Sequence, residues 1–225
     1  MKRFLLAMGA GLMAVSMASP SVAADLPRPS YKAPMYVAPF SWTGFYVGIN
    51  GGYGWGKSSW TNAAVSTSDF TVKGPLIGGT LGYNLQTGAW VWGLEADLDA
   101  SFIKGATQAT ALCGVVGCET RNRYLATGRG RIGYAWDRFL PYITGGVAYG
   151  DIKMTTGAGT SETKSKLGWT LGGGVEYAFL GAWSAKIEYL YVDLGKATCG
   201  AATCGLDTEV KFNTHLVKLG VNYRF

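Results

Sequence analysis

Charge is scarce in this sequence: 15% of its 225 residues are Asp, Glu, Lys or Arg, where an ordinary soluble surface carries roughly 25–35%. Histidine occurs once, at His215, which leaves histidine-based hydrolytic sites and multi-histidine metal sites short of material. The net charge of +6 is modest and gathers in no basic run. No nucleic-acid footprint is read from it, and nucleic acid is not expected as a partner. Long apolar runs are missing beyond the first two dozen residues, so any membrane crossing must use strands rather than helices. In their place stand 34 glycines and 13% aromatic residues, spread along the chain.

The first residues carry Lys2 and Arg3, then the apolar "FLLAMGAGLMAVSMA", then the small residues of "SVAA". Residues 1–24 therefore read as a secretory signal peptide cut between Ala24 and Asp25, its apolar core being too short for a span. Residues 25–42, "DLPRPSYKAPMYVAPFSW", hold four of the seven prolines and read as an extended periplasmic tether. Residues 43–225 form the remaining domain.

Within that domain, period-two segments alternate with turn-rich connections. They run from Phe45 to Trp55, Leu76 to Leu85, Trp90 to Phe102, Arg123 to Trp136, Pro141 to Gly150, Leu167 to Phe179, Trp183 to Leu194 and Phe212 to Phe225. The connections alternate long and short: "QTGA", "DRFL" and "LGA" are short, and the others are long. This pattern predicts an all-β fold, an eight-stranded antiparallel up-and-down transmembrane β-barrel with long loops outside the cell and tight turns in the periplasm.

The stretch "WVWGLEADLDASF" sets the orientation problem, because Glu95, Asp97 and Asp99 alternate with Leu94, Ala96 and Leu98 and so share one strand face. In the fourth segment Arg121, Arg123, Arg129 and Arg131 share one parity. Glu176, Lys186, Glu188, Lys218 and Arg224 each oppose an aromatic or aliphatic face in the later segments. Aromatic residues also collect at the strand ends. Trp90, Trp92, Trp136, Trp183 and Phe225 lie near the short turns, and Trp55, Phe102, Tyr149, Trp169 and Tyr191 lie near the long loops. Two such bands match the girdles of a transmembrane barrel, which turns the apolar face to lipid and the charged face to the lumen. A luminal network of Glu95, Asp97, Asp99, Arg123, Arg129, Arg131, Glu176, Lys186, Glu188, Lys218 and Arg224 is the expected result, with acids and bases compensating one another.

Four cysteines form two pairs, Cys113 with Cys118 in "CGVVGC" and Cys199 with Cys204 in "CGAATC". Export permits a disulfide within each pair; cross-pairing, free thiols and metal binding are the alternatives.

The blocks "SWTGFYVGINGGYGWG", "GRGRIGYAWDRFLPYITGGVAYG", "GWTLGGGVEYAF", "EYLYVDLG" and "KLGVNYRF" follow one another in order from Ser41 to Phe225. Together they closely resemble the small outer-membrane immunogenic proteins of alphaproteobacteria, a family grouped with OmpA-like and opacity-type barrels and often described as porins. The resemblance implies a cell outer-membrane location, a structural role in envelope integrity, and surface loops seen by hosts. It also implies that Val221, Tyr223 and Phe225 form the terminal signal read by the barrel-assembly machinery. Outer-membrane lipid and lipopolysaccharide are the expected surroundings and a monomer the favoured state. Because the chain stops at its last strand, no peptidoglycan-binding domain is expected after it.

Three functions compete. Catalysis is disfavoured because His215 lies on the lipid-facing parity without the companions hydrolysis needs; neither a cofactor nor a metal is expected. A narrow porin-like channel would use small luminal residues such as Thr144, Gly146 and Gly172, which tight packing would also select. Loop-mediated ligand binding or adhesion would use the barrel as a frame, but the Gly-, Ala-, Ser- and Thr-rich loops name no ligand.

Overall fold

The computed structural model describes residues 40–61, 70–106, 119–155, 161–199 and 208–225. The expected signal peptide and residues 25–39 of the tether lie outside these, as do Cys113, Cys118 and Cys204; Cys199 is described only as the backbone end of a strand. The disulfide expectation therefore falls outside the described residues.

Ten strands follow in chain order: β1 (Gly44–Thr61), β2 (Phe70–Thr87), β3 (Trp90–Ser101), β4 (Lys104–Ala106), β5 (Glu119–Arg121), β6 (Tyr124–Tyr134), β7 (Phe139–Thr155), β8 (Ser161–Leu180), β9 (Trp183–Cys199) and β10 (Thr208–Arg224). The short β4 and β5 continue β3 and β6 toward the long loops, so the barrel wall has eight staves. Each stave pairs antiparallel with its chain neighbours, and β1 closes the ring on β10 from Tyr46↔Arg224 to Thr61↔Glu209. Closure leaves no sheet edge to be satisfied in lipid, as a spanning sheet requires.

Each short turn contains a residue in the left-handed region: Gly88 at φ 62°, Asp137 at φ 51° and Gly181 at φ 50°. Glycine adopts this conformation without a Cβ clash, and Asp is among the few other residues that tolerate it.

The strands are longer on the loop side than the apolar alternation suggests. β1 runs to Thr61 rather than Trp55, β8 begins at Ser161 rather than Leu167, and β9 continues to Cys199. Polar stretches such as "SETKSK" carry no apolar period, yet their backbones keep pairing with β7. A strand of 18 residues such as β2 is roughly 60 Å long, or about 45 Å tall at the usual tilt, against an apolar belt about 25 Å tall. The upper part of the wall thus stands clear of the belt.

The outer face is apolar, with Ile49, Leu94 and Leu98 being 74%, 72% and 66% exposed. Both aromatic bands are on it: Trp90 packs edge-on against Tyr134 and Trp183 against Tyr223 near the short turns, while Trp169 and Tyr191 meet near the loops. The interior is stacked in three levels. Toward the loops lies an apolar core that includes Val72, Ile103, Leu125, Met154, Leu190 and Phe212. Charged and polar side chains fill the middle. Toward the turns, Trp42 packs with Val91, Leu140, Ala178 and Phe40.

The position of Trp42 shifts the boundary expected for the tether. Trp42 is 1% exposed. Its backbone N–H donates to Gln86 Oε1 (2.7 Å) and its indole N–H to the carbonyl of Asp137 (3.1 Å), so the chain is fixed inside the turn end before β1 begins.

Candidate functional site

The middle level of the lumen is the candidate site. Strand register brings its members together: Glu95 on β3 faces Arg129 on β6, Glu176 on β8 faces Lys186 on β9, and Glu188 on β9 faces Lys218 on β10. Because β3 and β9 lie on opposite sides of the ring, their side chains also meet across the lumen, where Lys186 Nζ donates to Glu95 Oε2 at 2.8 Å.

Arg129 is the hub. Its guanidinium reaches Glu95 Oε1 at 2.5 Å, Asp97 Oδ2, and Glu188 Oε1 at 2.8 Å. Arg131 lies at 3.3 Å from Glu95 and 2.7 Å from Glu176, and its guanidinium is 4.1 Å from the centre of the Tyr142 ring. Lys218 Nζ sits 2.9 Å from Asp99 and 3.5 Å from Asp97. The side chains of all these ion-paired residues are 3% exposed or less. In such a setting an isolated charge is costly, while a paired and hydrogen-bonded one is tolerated. Glu95, Asp97 and Glu188 offer ligand atoms within 4.8 Å of one another, close enough to share a cation; the guanidinium of Arg129 already supplies that positive charge.

Neutral donors complete the layer. Tyr46 Oη donates to Glu95 (2.7 Å), Tyr142 Oη to Glu188 (2.9 Å), Thr80 Oγ1 to Asp97 (2.6 Å), and both Ser184 and Asn222 to Glu176 (2.6 and 2.9 Å). These uncharged residues are invisible to a pattern of charges. Ser184 and Asn222 share the inward parity of their strands' charges, Lys186 and Glu188 on β9 and Lys218 on β10, whereas β1, β2 and β7 carry no charge in the parity of Tyr46, Thr80 and Tyr142 that would mark them.

Two expected members are elsewhere. Arg123 is exposed at the outer rim, because β5 and β6 are interrupted at Asn122–Arg123 and the two-residue alternation slips there. Arg121 is exposed for the same reason. The interruption is fixed by Asp151, whose Oδ1 accepts the backbone N–H of Arg123 (2.8 Å) and of Tyr124 (3.1 Å). Arg224 keeps the inward parity but lies beyond the layer at the turn end, with its guanidinium 4.5 Å from the Phe40 ring centre and 5.6 Å from that of Trp42. Val221, Tyr223 and Phe225 lie on the outer face of β10 and its terminus.

Glycine makes room for the layer. A Cβ on Gly82 would lie 2.3 Å from Cζ of Tyr46, so the phenol reaches Glu95 only because position 82 has no side chain. Gly82→Ala is expected to displace Tyr46 and cost about 1–3 kcal/mol by overpacking, measurable as a lower urea midpoint with an unchanged fold by circular dichroism. An unchanged midpoint would show that Tyr46 has space to move.

His215 stands on the outer face. Tyr189 Oη lies 2.6 Å from His215 Nδ1, and the imidazole stacks between the aromatic rings of Trp55 and Tyr189. It is a member of the outer aromatic band.

Comparison with known proteins agrees with this architecture. A family model described as "Outer membrane protein beta-barrel domain" matches residues 10–225. The 31 kDa outer-membrane immunogenic protein of Brucella melitensis is 40% identical over 244 aligned positions, covering 100% of both chains. The 25 kDa outer-membrane immunogenic protein of Brucella abortus is 30% identical, over 88% of this chain and 86% of its own. Among solved structures, the outer membrane protease OmpT of Escherichia coli superposes with a TM-score of 0.50 at 9% identity, covering 81% of this chain and 97% of its own, a likeness of fold alone. The chain therefore belongs to the outer-membrane β-barrel family, as a homologue of the alphaproteobacterial outer-membrane immunogenic proteins, and resides in the outer membrane.

Proposed function

We propose that the protein is a non-enzymatic structural barrel that stabilises the envelope and holds its loops at the cell surface, with a sealed lumen rather than a conducting one. The observation that carries this reading is the three-level interior: an apolar core, a layer of paired charges and the Trp42 plug occupy the axis in succession. An eight-stranded wall leaves an interior that side chains can fill. The ion pairs then act as internal cross-braces, linking β3 to β9 and β10 across the lumen.

The second reading is a narrow channel, favoured by the density of charge at the middle level. Planar-bilayer recording of the folded full-length mature protein separates the two. The expected result is no sustained conductance above that of the bare membrane at neutral pH. Stable, ion-selective steps that vanish in Lys218→Met would establish the channel instead. Export through cleavage after Ala24, insertion by the assembly machinery and display of the loops to a host complete the proposed role.

A further inference from the structure

On the loop side of the outer aromatic band, the strand register lines up four cations on adjacent staves. Lys73 on β2 faces Lys104 on β4, Lys104 faces Arg121 on β5, and Arg121 faces Lys153 on β7. Val72, Ile103, Thr120, Ile152 and Met154 are buried in the interior, so their chain neighbours in this row point away from the barrel. Directly opposed like charges on paired strands destabilise a sheet. Here three such pairs occur in succession. Among the described residues only Arg121 of the four has a carboxylate partner, Glu119 at 2.9 Å. The exposed Arg123 adds a further cation beside a depression of ≈ 390 Å³ lined by Ala100, Ser101, Phe102, Lys104, Arg121 and Arg123.

The height of the row identifies what it meets. Lys73 is in register with Trp55 of the aromatic band, and Lys104 is two residues, roughly 7 Å along the strand, beyond the exposed Phe102. Aromatic girdles mark the boundary between hydrocarbon and head groups, so Lys73 and Lys104 lie at head-group level in the outer leaflet, and the row climbs from there to Lys153, four residues beyond Tyr149 of the same band. The other side of the rim is composed differently. There Lys196 donates to Glu209 at 2.7 Å, and this hydrogen bond holds the Glu209 carboxyl below its ordinary range. Lys196 also faces Lys211 on β10, so this side is cationic as well, but two of its lysines are paired with carboxylates, Lys196 with Glu209 and Lys164 with Glu162. Among the described residues the row from Lys73 to Lys153 has one such pair, Arg121 with Glu119.

We propose that Lys73, Lys104, Arg121, Arg123 and Lys153 form a binding site for the phosphorylated head group of an outer-leaflet glycolipid. The acyl chains would lie against the apolar wall below Phe102, and the phosphates would bridge the cation row. Lysine and arginine both bind phosphate, with arginine offering a planar fork and lysine a point charge.

The test uses the folded full-length mature protein in dodecyl maltoside micelles, titrated with phosphorylated lipid A and with lipid A stripped of its phosphates. The expected result is tighter binding of the phosphorylated form. Each cation removed should weaken that binding roughly fivefold, so Lys104→Gln/Arg121→Gln should lose about 25-fold, while Lys196→Gln/Lys211→Gln on the opposite rim should bind as the parent does. Retained heat-modifiable mobility on a detergent gel confirms that each variant is folded. Should the double variant fail to fold, Lys104→Gln alone must show its fivefold loss. Equal affinity for the two lipids, or equal loss in the control pair, would overturn the site. Inorganic phosphate or a soluble sulfated glycan that binds through Lys104 and Arg121 in preference to lipid A would overturn the head-group assignment.

Discussion

An Arg129→Met variant is expected to insert and close its barrel, yet to lose about 3–5 kcal/mol of stability, the cost of removing one partner from a buried ionic cluster. The luminal layer holds Glu95, Asp97, Asp99, Glu176 and Glu188 against Arg129, Arg131, Lys186 and Lys218, so it already has one carboxylate more than its cations. Removing Arg129 takes the shared positive charge from three of those carboxylates at once. Methionine fills much of the same volume, so packing loss is a minor contribution. Urea unfolding followed by gel mobility would report the change, and a midpoint within error of the parent would show that water replaces the guanidinium without penalty. A double-mutant cycle sharpens the assignment. Glu188→Gln alone breaks the 2.8 Å contact to Arg129, but in the Arg129→Met background it removes an uncompensated charge and should cost less, or stabilise.

The same layer shows why part of this structure is legible in the sequence and part is not. Glu95, Asp97 and Asp99 are three points on a period-two pattern, and in a wall with one wet or ionic face and one lipid face a slip of one residue would move all three into hydrocarbon. Charge parity therefore encodes facing, and in β3, β8 and β9 the charged residues of the middle level point inward as the alternation requires. Parity misplaces Arg123 because a local interruption, held by the carboxylate of Asp151, resets the phase, and a distant hydrogen bond leaves no periodic trace. It also could not locate Trp42, whose burial depends on Val91, Leu140 and Ala178 converging at the turn end. Strand length beyond the belt was hidden for a different reason. The pairing of "SETKSK" with β7 is backbone hydrogen bonding, which any non-proline residue supplies.

The cation row was hidden by sequence distance. Lys73, Lys104, Arg121 and Lys153 are far apart along the chain and form no basic run, so a linear reading finds only a modest positive charge. Register assembles them. This is why a composition that excludes a nucleic-acid footprint is compatible with a concentrated anion-binding surface on one side of the rim.

Adjacent residues on β3 should fail in opposite ways, and this gives the sharpest test of the fold. Leu98 is 66% exposed on the outer face and in register with Gly79 and Ala126, while Asp97 beside it is 3% exposed within the ionic layer. Leu98→Arg places a charge against hydrocarbon and is expected to cost about 2–4 kcal/mol near the midplane. The flanking Gly79 and Ala126 offer no carboxylate to receive it. The protein should then accumulate unfolded in the periplasm, seen as a loss of the heat-modifiable band and release by carbonate washing. Asp97→Ala faces no such barrier during insertion. It should reach the membrane and unfold at lower urea, because Lys218 and Arg129 lose one of their carboxylates inside the lumen. A Leu98→Arg protein that folds normally, beside an Asp97→Arg protein that never inserts, would mean that β3 faces the other way, and the assignment of lumen and lipid would have to be exchanged around the whole ring.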